Sequence, residues 1–290
     1  MIQVQQLTKR YEGRTAVDRL TFTVRGGEIL GLVGPNGAGK TTTMRAICGI
    51  HPPTSGTVRV AGHDVERDAI AAKHALALIP DEPQLFASLT VWEHLDFTAR
   101  VYGVRDWKPV AERLLAELEL LDRRDSMADE LSRGMRQKVA VASALLHEPG
   151  ALLLDEPLTG LDPRGIRTLY DALRRRAAAG AAIVLSSHLL GQIEGLCTSF
   201  LVLRQGQLLF HGSREELRAR YADEVGAGAT LEDIFFHVTE GRADSADARA
   251  VDGEMTPAPS SEAAPCPGAF RARGSGRWVR TPRTRAPRSS

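Results

Sequence analysis

Apolar and polar residues alternate in three places along the chain: at Ile2 and Val4, at Leu20, Phe22 and Val24, and at Val58 and Val60 before Gly62. A period of two marks strands with one buried face, and it predicts an antiparallel sheet as a first layer. Residues 29–33, 75–79, 151–154 and 182–185 are instead continuous apolar runs. Strands buried on both faces read this way, which predicts a parallel sheet flanked by helices. Each run ends in a polar or glycine-rich segment: residues 34–42, Asp81-Glu82, Asp155-Glu156 and Ser186-Ser187-His188. Open parallel sheets bind ligands at the carboxyl ends of their strands, so these four segments are expected to converge on one site.

Between the second and third runs the pattern turns helical. Thr90-Val91-Trp92-Glu93 fits a capping box. Val110, Leu114, Leu118 and Leu121 mark one apolar face of a second helix, and an amphipathic helix is expected from Met135 to Leu146. These predict a helical subdomain inserted at about 85–148. Phe200-Leu201-Val202-Leu203 and Leu208-Leu209-Phe210 flank Arg204-Gln205-Gly206-Gln207 and predict a hairpin. From Gly241 the pattern disappears into Ala, Pro, Ser and Arg, a composition that does not offset the entropy of ordering. The expected organisation is one domain over 1–240 and a disordered tail over 241–290. Arg271, Arg273, Arg277, Arg280, Arg283, Arg285 and Arg288 make that tail basic, either as a solvated extension or as a tether to anionic lipid head groups.

Composition narrows the class. With 290 residues and 43% hydrophobic content the chain can bury a substantial core. Its 37 lysines and arginines nearly cancel its 36 acidic residues, so no basic field draws it to nucleic acid, and no such partner is expected. No apolar stretch approaches the about 20 residues that span a bilayer. Met1-Ile2-Gln3-Val4-Gln5 lacks the basic start and apolar run of a secretory signal, so a cytoplasmic location is expected. Cys48, Cys197 and Cys266 match no disulfide or zinc spacing, and the first two are expected to be buried.

Gly34-Pro35-Asn36-Gly37-Ala38-Gly39-Lys40-Thr41-Thr42 fits the phosphate-binding pattern G-x-x-x-x-G-K-[ST] between a buried strand and a helix. Its glycines let backbone N–H groups curl around phosphate oxygens, and the helix that follows turns its positive end toward them. Lys40 is expected to contact the outer phosphates and Thr41 to join a magnesium shell. At the end of the third run, Asp155 is expected to hold magnesium and Glu156 to polarise an attacking water. Ser132 and Gly134, in Leu131-Ser132-Arg133-Gly134-Met135, form a second helix start able to face an anion, or an ordinary N-cap.

Taken in order, the phosphate loop, the Ser132–Gly134 signature, Leu153-Leu154-Asp155-Glu156-Pro157, Leu161-Asp162 and His188 make the sequence resemble ABC transporter ATPase subunits over roughly its first 240 residues. The resemblance implies an α/β P-loop NTPase core with an N-terminal antiparallel β subdomain and an inserted helical subdomain. It implies ATP hydrolysis with Mg2+ in a head-to-tail homodimer or heterodimer with a second cassette. Each nucleotide would lie between the phosphate loop of one subunit and Ser132 and Gly134 of the other. By the same resemblance Asp162 lies across that interface, and His188 meets the terminal phosphate and the water. Tyr11 matches the aromatic that stacks on adenine, although a tyrosine near a strand end is as often simple packing. Membrane-spanning permease subunits are the implied partners, with the chain peripheral at the cytoplasmic face of the membrane.

Two segments depart from the family pattern. Asp81 stands where glutamine is usual, where it could still ligate magnesium but donates no hydrogen bond when ionised. Arg133 and Met135 stand in the signature where glycine and glutamine are commonest. Residues 81–86, Leu89-Thr90, residues 92–95 and Leu231-Glu232-Asp233-Ile234-Phe235 look like the bacterial exporter branch with separately encoded membrane subunits. Two other functions compete: a soluble ABC ATPase acting on nucleic acid or ribosomes, and a nonhydrolysing nucleotide-gated scaffold. Proteins of the first kind resemble either paired cassettes in one chain or a cassette with long coiled-coil or zinc insertions, and residues 40–132 leave room for neither; Glu156 with His188 argues against the second.

Overall fold

A computed structural model of the chain describes residues 1–226 and 228–240. The chain opens with β1 (Ile2–Tyr11), β2 (Arg14–Val24), β3 (Ile29–Val33) and α1 (Lys40–Ile47). It continues through β4 (Ser55–Val60), β5 (His63–Asp64), α2 (Ala69–His74) and β6 (Leu76–Ile79). Three helices follow, α3 (Val91–Tyr102), α4 (Trp107–Glu117) and α5 (Arg133–Leu146), then β7 (Ala151–Leu154), α6 (Pro163–Ala178), β8 (Ala182–Ser187) and α7 (Leu190–Ile193). The described part ends with β9 (Ser199–Arg204), β10 (Gln207–Gly212), α8 (Arg214–Val225) and α9 (Leu231–Glu240).

The alternating segments build one antiparallel sheet, ordered β2-β1-β4-β5. The continuous runs build a second sheet, ordered β10-β9-β3-β8-β7-β6, in which only β10 runs antiparallel to its neighbour. The reason those runs carry no polar residue lies in where their two faces go. Leu30, Leu32, Leu153 and Val184 pack on α1 and the inner face of the antiparallel sheet, with Ile2, Val4, Phe22 and Val58. Ile29, Val33, Leu152, Leu154, Ile183 and Leu185 pack the other way, against Leu95, Leu115, Val139 and Leu173 of the helices. The expected α/β core, antiparallel β subdomain and helical insertion are all present.

Three expectations are adjusted. The strand expected from Ala75 begins at Leu76, because the Ala75 N–H closes α2 on the Ala71 carbonyl. The strand expected to stop at Leu185 continues through Ser186 and Ser187, both buried despite their hydroxyls. The face predicted through Leu121 breaks earlier: α4 ends at Glu117, and Glu119 turns left-handed with φ 57°. Leu121 then falls in a separate turn, Leu121–Arg123, and is 40% exposed, while Leu120 takes the buried place.

The capping box forms as read. Glu93 N–H donates to Thr90 Oγ1 at 3.2 Å, and Thr90 N–H donates to Glu93 Oε2 at 2.8 Å. The hairpin turns on Gln205 and Gly206, with φ of 49° and 79°, the paired left-handed residues that a two-residue turn matching strand twist requires. It also does more than predicted, since β9 pairs in parallel with β3 and extends the main sheet. Cys48 is buried and Cys197 is half-buried, and burial pushes both thiols up to about 12. Cys266, the basic arginines and the tail boundary at 241 lie outside the described residues. Among the described residues no helix is long and apolar enough to cross a membrane.

Candidate functional site

The loop between β3 and α1 is shaped by glycine. Gly39 holds φ 105°, and a Cβ there would meet the Ala16 carbonyl at 2.6 Å, so neither the conformation nor the space admits a side chain. No side chain caps α1, and no acidic residue lies in its first turn, which leaves its N-terminal amides free for an anion. Lys40, the first residue of α1, is only 7% exposed. Its ammonium donates to the Gly34 carbonyl at 2.6 Å and lies 3.5 Å from Glu156 Oε1.

The ends of β7 and β8 meet this loop. Thr41 Oγ1 donates to Asp155 Oδ2 at 2.8 Å. The buried Ser186 hydroxyl donates to Asp155 Oδ1 at 2.5 Å and accepts the Glu156 N–H at 2.9 Å. Glu156 takes a left-handed φ of 46°, which turns its side chain toward β8. There Glu156 Oε2 lies 2.9 Å from His188 Nδ1 and accepts the His188 N–H at 3.4 Å. Tyr11, Arg14, the loop at 35–42, Asp81, Asp155 and Glu156 line one cleft of about 500 Å³. Thus all four strand-end segments reach a single place.

The remaining candidates sit differently. Tyr11 is 40% exposed at the rim, with its hydroxyl 2.6 Å from His51 Nδ1. Asp81 pairs with Arg133 at 3.2 Å. Burial pushes the Asp81 carboxyl above the usual carboxylate range, Arg133 pulls it back, and Asp155, Glu156 and Glu82 push it up again. Ser132 caps α5, accepting the Met135 N–H at 3.3 Å. Gly134 has a packing reason to be glycine beyond the uncovered amides, since a Cβ there would stand 2.7 Å from the Gly160 carbonyl. Asp162 caps α6 by accepting the Gly165 N–H at 2.8 Å. Ser132, Gly134 and Asp162 do not line the cleft of the phosphate loop.

Two residues were given no role of their own by the sequence. Ser186 ties the two carboxylates together, and the available signal was a hydroxyl ending an otherwise apolar strand. Arg14 lines the cleft beside the loop from the start of β2, a placement that no motif announces. Replacing Ser186 by alanine leaves Asp155 one donor short and orphans the Glu156 N–H. A buried unsatisfied group costs about 1–3 kcal/mol, so urea unfolding of S186A should show that loss at unchanged slope.

The donors near Thr41 suit magnesium. A hydroxyl and a carboxylate adjoin at 2.8 Å, with Asp81 on the same cleft, and all offer hard oxygen. Among the described residues no group of three or more His, Cys, Asp or Glu side chains could hold a metal alone. That matches the usual magnesium habit of taking one or two protein oxygens and completing its shell with substrate phosphates and water.

Comparison with known proteins gives a consistent picture. The ABC transporter family profile matches residues 17–159. The ABC-type transporter ATP-binding protein EcsA of Bacillus subtilis (strain 168) is 33% identical, over 83% of this chain and 97% of that protein. The Nod factor export ATP-binding protein I of Paraburkholderia xenovorans (strain LB400) is 36% identical, over 78% and 74%. Among solved structures, an ATP-binding subunit of an ABC transporter superposes with TM-score 0.78 at 33% identity, covering 82% of this chain and 99% of the other. A bacterial Atm1-family ABC exporter with ATP bound superposes with TM-score 0.67 at 26% identity, over 77% and 41%.

Proposed function

From the premise that this chain belongs to the ABC transporter family, as an ATP-binding subunit powering transport through partner transmembrane subunits, we propose that its cleft hydrolyses ATP to drive export. The observation that carries this is the unbroken chain Thr41–Asp155–Ser186–Glu156–His188, which joins the phosphate loop to two proton-handling side chains. The uncapped amides of α1 and the Lys40 ammonium bind the β- and γ-phosphates. Thr41 and Asp155 would hold magnesium, with Asp81 as a further oxygen. When bound, that ion neutralises charge on the phosphate oxygens. Glu156 polarises the attacking water, and His188, against Glu156 Oε2, fixes the carboxylate and faces the terminal phosphate. Tyr11 at the rim takes the adenine.

Ser132 and Gly134 lie off their own cleft, which supports completion of each site by a second cassette, the same chain or another, arranged head to tail with Asp162 at the contact. Export is favoured by the names of similar proteins, which include Nod factor export and linearmycin resistance ATP-binding proteins. The transmembrane partner has a candidate seat. A groove of about 320 Å³ runs between residues 83–86 and helices α3 and α5, with Phe86 54% and Phe97 47% exposed. It begins where the segment after β6 that carries Asp81 leaves the cleft, so a partner helix there would feel the nucleotide. Such partners would hold the chain at the cytoplasmic face of the membrane.

Copurification from membranes tests this reading. A multi-spanning protein should accompany the wild-type chain, and the pair should release phosphate only with magnesium and ATP. Phe86→Asp with Phe97→Asp should lose the partner and keep nucleotide binding. Recovery of nucleic acid in place of a membrane protein would overturn the assignment.

A further inference from the structure

Asp81 and Arg133, two of the residues at which the sequence departs from the pattern it resembles, touch each other. Asp81 follows β6, Arg133 opens α5, and the two are 52 residues apart, yet Arg133 Nη2 donates to Asp81 Oδ1 at 3.2 Å. The arginine stem also lies across the turn before α6, since a Cβ at Gly160 would be 3.0 Å from Arg133 Cδ. One side chain therefore ties together the segment that lines the phosphate cleft, the helix start at Ser132 and the turn leading to Asp162.

We infer that Asp81 and Arg133 are a matched positioning pair, which fixes the Ser132 helix end relative to the chain's own phosphate cleft so that each composite nucleotide site senses the other. The inference rests on the two-cassette reading above. An ionised carboxylate at 81 can only accept hydrogen bonds, and a guanidinium can only donate them, so each unusual residue supplies what the other needs. The pair does not exist for stability. Both side chains are nearly half exposed, 45% and 47%, and exposed ion pairs contribute little to folding. What the pair does fix is direction: Gly134 packs on the Gly160 carbonyl, Arg133 packs on Gly160 itself, and Asp81 holds the far end of that unit against the cleft wall.

A double-mutant cycle tests this with the full chain and its membrane partner. D81Q and R133G should each lower the maximal ATPase rate about 5- to 20-fold, within the roughly 2- to 150-fold that coupling between touching residues spans. The urea midpoint should change little. The double variant, D81Q with R133G, should return to within about threefold of wild type, because neither residue is then left without its partner. R133K, which keeps the charge, should lie between. Singles that leave the rate unchanged, or losses that simply multiply in the double variant, would overturn the pairing. The same four chains, each also carrying Glu156→Gln so that the closed dimer persists, read for nucleotide-driven dimerisation by light scattering, give the cycle independently of hydrolysis. Failure of wild type to hydrolyse, or of the Glu156→Gln chain to dimerise, would defeat the two-cassette reading, whereas an additive cycle in an active wild type defeats only the pairing.

Discussion

Glu156→Gln is expected to bind ATP with near wild-type affinity and to hydrolyse it about 10²- to 10⁴-fold more slowly, the usual contribution of a positioned general base. The substitution keeps the side chain's shape. It also keeps the Glu156 N–H on Ser186 Oγ, because that bond belongs to the backbone. What changes is the charge 3.5 Å from Lys40 and the acceptor 2.9 Å from His188. Losing the carboxylate removes a competitor of the terminal phosphate for Lys40, so binding has no reason to weaken. It also removes the group able to take density from a water's O–H. Two cassettes closed on ATP should therefore accumulate, visible as a nucleotide-dependent dimer in size exclusion that wild type forms only transiently. Phosphate release at more than a tenth of the wild-type rate would take Glu156 out of the role of base.

Much of this geometry can be read along the chain, for a physical reason. Residues 29–33 and 151–154 are apolar throughout because both faces of β3 and β7 are buried, in different cores. Their polar ends had to lie at one sheet edge because parallel strands end on the same side. The capping box was legible because both partners lie within one turn. What escaped depends on contacts between distant segments. Leu121 fits the helical spacing, but the left-handed turn at Glu119 ends the helix before it. Ser186 reads as a loop residue until β8 extends through it and Asp155 and Glu156 arrive on either side. Asp81 and Arg133 each look like an isolated irregularity, and only the packing of α5 beside β6 brings them together.

Lys40→Ala should act on binding where Glu156→Gln acts on turnover. The Lys40 side chain is only 7% exposed, and its ammonium makes its close contact with a backbone carbonyl, at 2.6 Å from Gly34. A charge already stripped of water loses little more on meeting a phosphate, so its attraction there is large. Truncating one partner of a buried, hydrogen-bonded charge pair costs about 2–5 kcal/mol. That corresponds to a rise in nucleotide Kd of roughly 30-fold to several thousand-fold. Calorimetric titration with magnesium ATP would measure it, and an unchanged Kd would remove the phosphate loop from the reading altogether. The same variant probes the composite site. A K40A chain has lost its own loop contact but keeps its Ser132 helix end, and a Ser132→Arg chain has the reverse defect. Mixed, they can form a dimer in which one site joins an intact Lys40 to an intact Ser132, while the opposite site carries both defects. With Glu156→Gln in both chains to keep the closed state, each variant alone should fail to dimerise on nucleotide, and the mixture should dimerise holding one nucleotide per pair. If mixing recovers nothing, the phosphate loop and the Ser132 helix end do not meet across two cassettes, and each nucleotide is held by a single chain.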